Sequence, residues 1–452
     1  MKLQVELLSK EFMKPSSPTP KTLRHYQLSF LDQIAPHHYN PMVYFFAPKL
    51  DSTEISTQLK ESLSNILTHY YPFAGRIRDD KFIDCNDEGI PYVETRVNIK
   101  LNDFLDDPAP GELNKLLPFK LRDAAESNIT LGVQLNVFGC GGIAIGVCTS
   151  HKIADALSLT VFLSSWAAMS RGEVDFGRPN FVSATLFPPK TNTCGYDPDT
   201  YITKSDTITK RFVFCASATE TLKAKYVDNI QRLTSLENKF KRPSRVEALT
   251  AFIWGRFLAA IHGDGLQAAG TNNLYALIHN VNLRPKIDPP QPEYSFGNFS
   301  AVVAQTVTVP PSFSTTGSQV EYNALASRQL MEKLKRIDKN YINKIREGGE
   351  EYMIPLKEAS DLSSMTERVQ LEFTSLCKFP LYDTDFGWGK PIWVGMAACA
   401  FENFIILLDN KLGDGIEAYI ALKTADMFKL EQDKEFLAYV SPTGSKLLKA
   451  CL

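Results

Sequence analysis

Residues 128–172 begin Asn128-Ile129-Thr130-Leu131-Gly132-Val133-Gln134-Leu135-Asn136-Val137-Phe138 and turn at Gly139-Cys140-Gly141-Gly142. They continue Ile143-Ala144-Ile145-Gly146-Val147-Cys148-Thr149-Ser150 and then His151-Lys152-Ile153-Ala154-Asp155. Ile129, Leu131, Val133, Leu135 and Val137 alternate with small or polar residues, which predicts a strand with one buried face. Glycines supply the turn. Ile143, Ile145 and Val147 alternate again, so the pair reads as a β-hairpin. Beyond Asp155, an apolar stripe of Leu159, Phe162, Leu163, Trp166 and Met169 predicts a helix. His151 therefore falls where a strand hands over to a helix, a place from which a rigidly held side chain can reach a cleft.

His151 and Asp155 form an H-x-x-x-D pair, which has three readings. The histidine can be a satisfied polar residue at a strand end. It can be a metal ligand, although the other histidines are scattered and no H-E-x-x-H occurs. It can be a general base, since a neutral imidazole accepts a proton from an alcohol near neutral pH.

Far downstream stands Asp385-Phe386-Gly387-Trp388-Gly389, followed by Lys390-Pro391. Between the two motifs, in order, come Val281-Asn282-Leu283-Arg284 and Gly297-Asn298, and upstream lie Tyr71-Pro72-Phe73-Ala74-Gly75-Arg76 and Asp84-Cys85-Asn86-Asp87. With the H-x-x-x-D stretch these residues resemble the BAHD family of plant acyl-CoA-dependent acyltransferases over nearly the whole chain. The opening Lys14-Pro15-Ser16-Ser17-Pro18-Thr19-Pro20 and Leu31-Asp32-Gln33 resemble a branch that contains alkaloid acetyltransferases and an N-acylating enzyme.

The resemblance implies an α/β fold of two similar domains of the chloramphenicol-acetyltransferase-like type, with mixed sheets flanked by helices and an active-site channel between them. It implies that His151 deprotonates the acceptor, that the oxygen attacks the thioester directly, and that Thr374 donates to the oxyanion. Many relatives carry tryptophan where this chain has Leu376. The resemblance also implies that Asp155 turns away from substrate and pairs with Arg284. Asp385, Gly387, Trp388 and Gly389 then form a structural turn. It further implies that Lys241, Arg242, Ser244, Asn282 and Asn298 contact acyl-CoA, which is a co-substrate rather than a resident cofactor. No metal site is expected.

Composition agrees with an enzyme of this kind. At 452 residues the chain exceeds what one core usually serves, so two domains are expected. Lysine plus arginine numbers 49 and aspartate plus glutamate 51, a balance that argues against nucleic acid or an anionic membrane as partner. No run approaches the ~20 apolar residues that span a bilayer. Met1-Lys2-Leu3-Gln4-Val5-Glu6 has no signal-peptide centre, and the eight cysteines have no C-x-x-C pairing. A cytoplasmic monomer is the expectation.

Taken in order, the chain predicts a Pro-rich entry, a strand over 41–47, a helix over 56–70 ended by Pro72, and short strands near Phe82 and Tyr92. An acidic loop is expected over 103–112. Residues 187–208 have no period and read as a linker, which divides the chain into 1–186, a crossover at 187–210, and 211–452. The second half predicts a strand over 211–214, a helix from about Thr219, and a capping box of Ser244 with Glu247 opening another helix. The basic residues Lys239, Lys241, Arg242 and Arg245 stand before that helix, where phosphate binding and a solvated flank are equally good readings. Strands are expected over 274–282 and 301–309, a long polar helix over 318–346, and a last helix near Asp426.

The chemistry that the resemblance implies is acyl transfer from acyl-CoA, with acetyl-CoA as donor, to a small-molecule alcohol such as an alkaloid or terpenoid. Sugar esters, phenolics and amines are alternative acceptors, and a ligand-binding relative without turnover is a further alternative. A hydrolase would need a nucleophile motif such as G-x-S-x-G, which does not occur.

Overall fold

A computed structural model describes residues 2–48, 50–121, 127–191, 199, 206–234, 242–262, 273–309, 318–347, 353, 368–399 and 401–441. The structure is α/β, with two six-stranded mixed sheets. The first runs, in spatial order, Val5–Met13, Ile90–Val97, Leu131–Phe138, Ile143–Ser150, Tyr39–Phe46 and Trp393–Gly395. The second runs Ser300–Val309, Asn273–Asn282, Arg368–Ser375, Phe404–Asp409, Ile416–Lys423 and Thr207–Phe214. A small three-stranded sheet of His25–Gln27, Phe82–Asp84 and Arg76–Arg78 completes the strands described.

The expected hairpin is present, with Leu131 opposite Thr149 and Val137 opposite Ile143. Gly141 sits in the left-handed region at φ +83°, which explains a glycine at the turn. One expectation fails here, because strand Leu131–Phe138 is buried on both faces. Residues 114–121 cover the side expected to meet solvent. A Cβ on Gly146 would lie 1.8 Å from the Leu116 carbonyl oxygen, so that position admits only glycine. The polar members of the strand are satisfied underneath. Gln134 donates to the Lys115 carbonyl at 3.0 Å and Asn136 to that of Leu116 at 3.0 Å.

Helices Ser52–His69 and Ala156–Ser170 pack on each other and share the first sheet's core. Helices Ala216–Thr234, Arg245–His262 and Ser318–Lys335 form the corresponding layer for the second sheet. The helix expected over 318–346 is two, Ser318–Lys335 and Lys339–Glu347, and the acidic loop over 103–112 holds short helices at Leu101–Leu105 and Pro110–Leu113. Strand Val5–Met13 had no counterpart in the sequence reading. Of the expected linker, residues 192–198 and 200–205 lie outside the described residues. Its end, from Thr207, is already strand.

Two features tie the halves together. Strand Trp393–Gly395 leaves the second half and pairs with Tyr39–Phe46, Trp393 opposite Phe45. A separate apolar cluster joins Phe30, Leu31 and Ile34 to Leu283, Ile287 and Phe299. Burying aromatic and aliphatic side chains between layers is the main force that fixes their relative position.

Candidate active site

Between the two sheets lies an open cavity with about 2000 Å3 of space between atoms. Its walls come from both halves, with His38, Asn40 and His151 on one side and Asn280, Glu372 and Thr374 on the other. Strands explain the second wall. Ile278 pairs with Glu372 in the parallel ladder, and residues two apart on a strand share a face. Ile278, Asn280 and Asn282 therefore line the cavity together with Glu372 and Thr374.

His151 follows the last residue of strand Ile143–Ser150, and helix Ala156–Ser170 begins after the cap residue Asp155. Its backbone is fixed at both polar groups. Its N–H donates to the His38 carbonyl at 2.9 Å, and its carbonyl accepts from Asn298 Nδ2 at 2.7 Å. The imidazole lines the cavity. Burial lowers its pKa below the ordinary histidine value, and this outweighs the opposing pull of its own carbonyl, Asp155 and Asn298. The ring is thus neutral near pH 7, the form that accepts a proton.

His38 stands beside it, with ring centres 4.9 Å apart in an edge-to-face arrangement. Burial and the neighbouring His151 both push the His38 pKa well down. Its Nε2 lies 2.9 Å from Asn40 Oδ1, which assigns the Nε2 tautomer as donor. In the sequence the other histidines are scattered, and nothing local joins His38 to His151. His38 and His151 are far apart in the chain, and only the sheet brings them into contact.

Asp155 faces away from the imidazole. Its Oδ1 accepts from Ser158 N–H at 2.9 Å and Arg284 Nη2 at 3.0 Å, and its Oδ2 accepts from Arg284 Nη1 at 2.8 Å and Phe299 N–H at 3.0 Å. Burial would raise this carboxyl's pKa, but Arg284 and the two N–H groups hold it below the ordinary range. Arg284 also donates to the Ser295 carbonyl through Nε at 3.1 Å and to that of Gly297 through Nη2 at 3.2 Å. Gly297, at φ +125°, lies so close to Ser183 that a Cβ would come within 2.9 Å of it. The loop 295–299 is thereby held against the His151 junction.

Asn298 lines the cavity, yet both amide hydrogens are used internally, on Asp32 Oδ1 at 2.8 Å and on the His151 carbonyl. Asn282 lines it too, and its Oδ1 accepts from the Arg284 N–H at 3.1 Å. Thr374 faces the cavity, and its hydroxyl has no hydrogen-bond partner among the described residues. Leu376 is buried in the same wall.

Asp385, Gly387, Trp388 and Gly389 do not line the cavity. Asp385 Oδ1 accepts from the N–H groups of Gly387 at 2.8 Å and Gly389 at 2.9 Å, closing a turn in which both glycines have positive φ. The Phe386 carbonyl accepts from Gln58 Nε2 at 2.9 Å, and the Phe386 ring packs 4.9 Å from that of Trp166. This turn pins the second half to the helices of the first.

Arg242 is exposed and paired with Glu220, and Ser244 accepts the Glu247 N–H at 3.1 Å, while Lys239 and Lys241 lie outside the described residues. The Glu247 carboxylate, expected to complete the capping box, accepts instead from the Tyr226 hydroxyl at 3.1 Å. Arg245 links this corner to the cavity wall. It pairs with Asp409 Oδ1 at 2.7 Å, and Asp409 Oδ2 accepts the N–H of Lys378, next to the lining residue Phe379. Among the described residues no helix is long and apolar enough to cross a membrane, and no cluster of metal-binding side chains is found.

The sequence model described as "Transferase family" matches residues 3–437. The chain is 35% identical over 440 residues to stemmadenine O-acetyltransferase of Catharanthus roseus, covering 95% of this chain and 97% of that one. It is 34% identical over 450 residues to limonoid 21-O-acetyltransferase of Citrus sinensis, covering 98% and 100%. The crystal structure of vinorine synthase superposes with a TM-score of 0.80 at 33% identity, over 98% of this chain and 99% of that one. By sequence, by fold and by the arrangement of the two halves, this chain is an acyltransferase and belongs to the Transferase family of BAHD enzymes.

Proposed function

We propose that this enzyme transfers an acyl group, acetyl in the simplest case, from acyl-CoA to a hydroxyl of a specialised metabolite such as an alkaloid or terpenoid alcohol, with His151 as the general base. The observation that carries the reading is the cavity itself. It presents a neutral imidazole with a locked backbone on one wall and an unpartnered threonine hydroxyl on the other.

In this scheme the acceptor hydroxyl gives its proton to His151 as its oxygen bonds to the thioester carbonyl carbon. The Thr374 hydroxyl donates to the oxygen that becomes negative. Collapse of the tetrahedral species breaks the carbon–sulfur bond, and the departing thiolate takes the proton from the imidazolium. General-base catalysis is worth ~10²–10⁴-fold and one oxyanion donor ~10²–10³-fold. No acyl-enzyme is formed, so Cys148 has no part. Its thiol is buried in the strand, and burial raises its pKa far above the range of a nucleophilic thiolate.

Acyl-CoA enters, on this reading, from the side of the helix that Ser244 caps. The positive end of that helix favours phosphate there, beside Arg242 and Arg245, which are paired with Glu220 and Asp409. Asn282 borders the path of the pantetheine arm, whereas Asn298 positions His151. The test is incubation with acetyl-CoA and a panel of alcohols, following free thiol. Thiol release that depends on an alcohol supports the proposal, and release with water alone or no release with any alcohol refutes it.

A further inference from the structure

Among the described residues, three charged side chains line the cavity, Asp155, Arg284 and Glu372. The first two neutralise each other. Glu372 has no such partner. Its Oε1 accepts a hydrogen bond of 2.7 Å from Asn280 Nδ2, and no basic side chain among the described residues is within ion-pair distance. The residue is enclosed by the protein yet keeps accessible surface, because that surface faces the cavity. Its surroundings are mainly apolar, with Ile278, Val302, Phe404 and Ile406 in the same lining.

An isolated carboxylate in such surroundings is costly, and a buried charge is normally found paired. Burial accordingly pushes its pKa up to about 7, against the stabilising Asn280 bond. A cation arriving with a ligand would remove that cost. Thr374 is two residues along the same strand face, ~7 Å away by strand rise. The carboxylate is thus within one small-molecule length of the oxyanion site proposed above.

We infer that Glu372, oriented by Asn280, is the anchor for a protonated amine carried by the acceptor, so that the enzyme prefers amino alcohols over neutral alcohols of the same shape. This rests on the reading of the cavity as an acceptor site. It narrows that reading to basic acceptors and makes Glu372 a specificity residue. Asn280 fixes one carboxylate oxygen and leaves the other to the ligand.

The probes are tropine, a tertiary amino alcohol, and N-acetylnortropine, its neutral counterpart. Binding of each is measured by calorimetry with the full-length enzyme and no acyl-CoA. The wild type should bind tropine more tightly. Glu372→Gln should lower tropine affinity ~10–100-fold, the worth of a hydrogen bond to a charged group, and change N-acetylnortropine affinity less than ~3-fold. Glu372→Met, an apolar replacement for an apolar cavity, should behave alike and guard against a folding defect in the first variant. Equal wild-type affinity for the two probes, or no binding of tropine, overturns the inference. So does a loss that is equal for both probes, or one that appears instead in affinity for acetyl-CoA. Because binding is read without turnover, failure of acyl transfer and failure of the cation site are separate results.

Discussion

Arg284 holds both oxygens of Asp155, at 2.8 and 3.0 Å, across the boundary between the two halves. Neither oxygen bonds the His151 ring, so the carboxylate of the H-x-x-x-D pair acts on the histidine through the fold. It caps the helix that follows His151 and locks the 295–299 loop whose Asn298 grips the His151 carbonyl. Removing one partner of a buried ion pair costs ~3–5 kcal/mol, since the other charge is left uncompensated. Asp155→Ala and Arg284→Ala should each lower the melting temperature, and the double variant should be less destabilised than the sum. Thermal melts of the three proteins check this. Additive losses would mean that the two residues stabilise the fold independently.

Thr374→Val keeps shape and removes the donor. It should lower kcat by ~10²–10³-fold with little change in stability. Steady-state kinetics and a melting curve decide. An unchanged kcat would pass the oxyanion role to a backbone N–H or a water.

The corner at Ser244 predicts a different signature. Arg242 is exposed, so its charge is screened and worth at most ~1 kcal/mol. Arg242→Ala should raise KM for acyl-CoA up to ~5-fold, leave KM for the alcohol unchanged, and matter less as salt rises. A change confined to the alcohol would place the co-substrate elsewhere.

The pH dependence follows from His151. Its folded pKa lies below the ordinary value of 6.5, so the base form persists as pH falls through 6.5. The acid limb of kcat/KM should therefore lie below pH ~6.5. Below pH ~6.5 the unfolded chain binds protons that buried His151, His38 and His279 do not, so their contribution to stability is lost as pH drops, while Glu372 and Asp32, raised to about 7 and about 6 by burial, contribute in the opposite direction. A pH–rate profile with its acid limb above 7 would contradict the assignment.

Much of this was legible in the chain, and the exceptions have physical causes. The hairpin and the helix after Asp155 showed themselves through period and through glycines at a tight turn. Strand Val5–Met13 did not, because it is an edge strand with a register shift between Leu7 and Ser9 and no fully buried residue, so no apolar alternation marks it. The helix broken at 336–338 kept a polar composition throughout, which hides an interruption. Glu372 belongs to a strand that alternates Val369, Leu371 and Phe373 with Gln370, Glu372 and Thr374. Alternation reveals one apolar face. Whether the polar face meets solvent or a cavity is set by the opposite half of the molecule, which no local pattern contains. His38 beside His151 was hidden for a different reason, since strands Tyr39–Phe46 and Ile143–Ser150 are distant in the chain and become neighbours only in the folded first sheet.

The central claim is that His151 removes the acceptor proton in a direct acyl transfer. Its sharpest test is alcohol-dependent thiol release from acetyl-CoA by wild-type enzyme and by His151→Ala, each verified as folded by its melting curve. The account predicts that kcat falls by at least ~10²-fold in the variant while acetyl-CoA still binds. Turnover near the wild-type rate in a folded His151→Ala enzyme would contradict it.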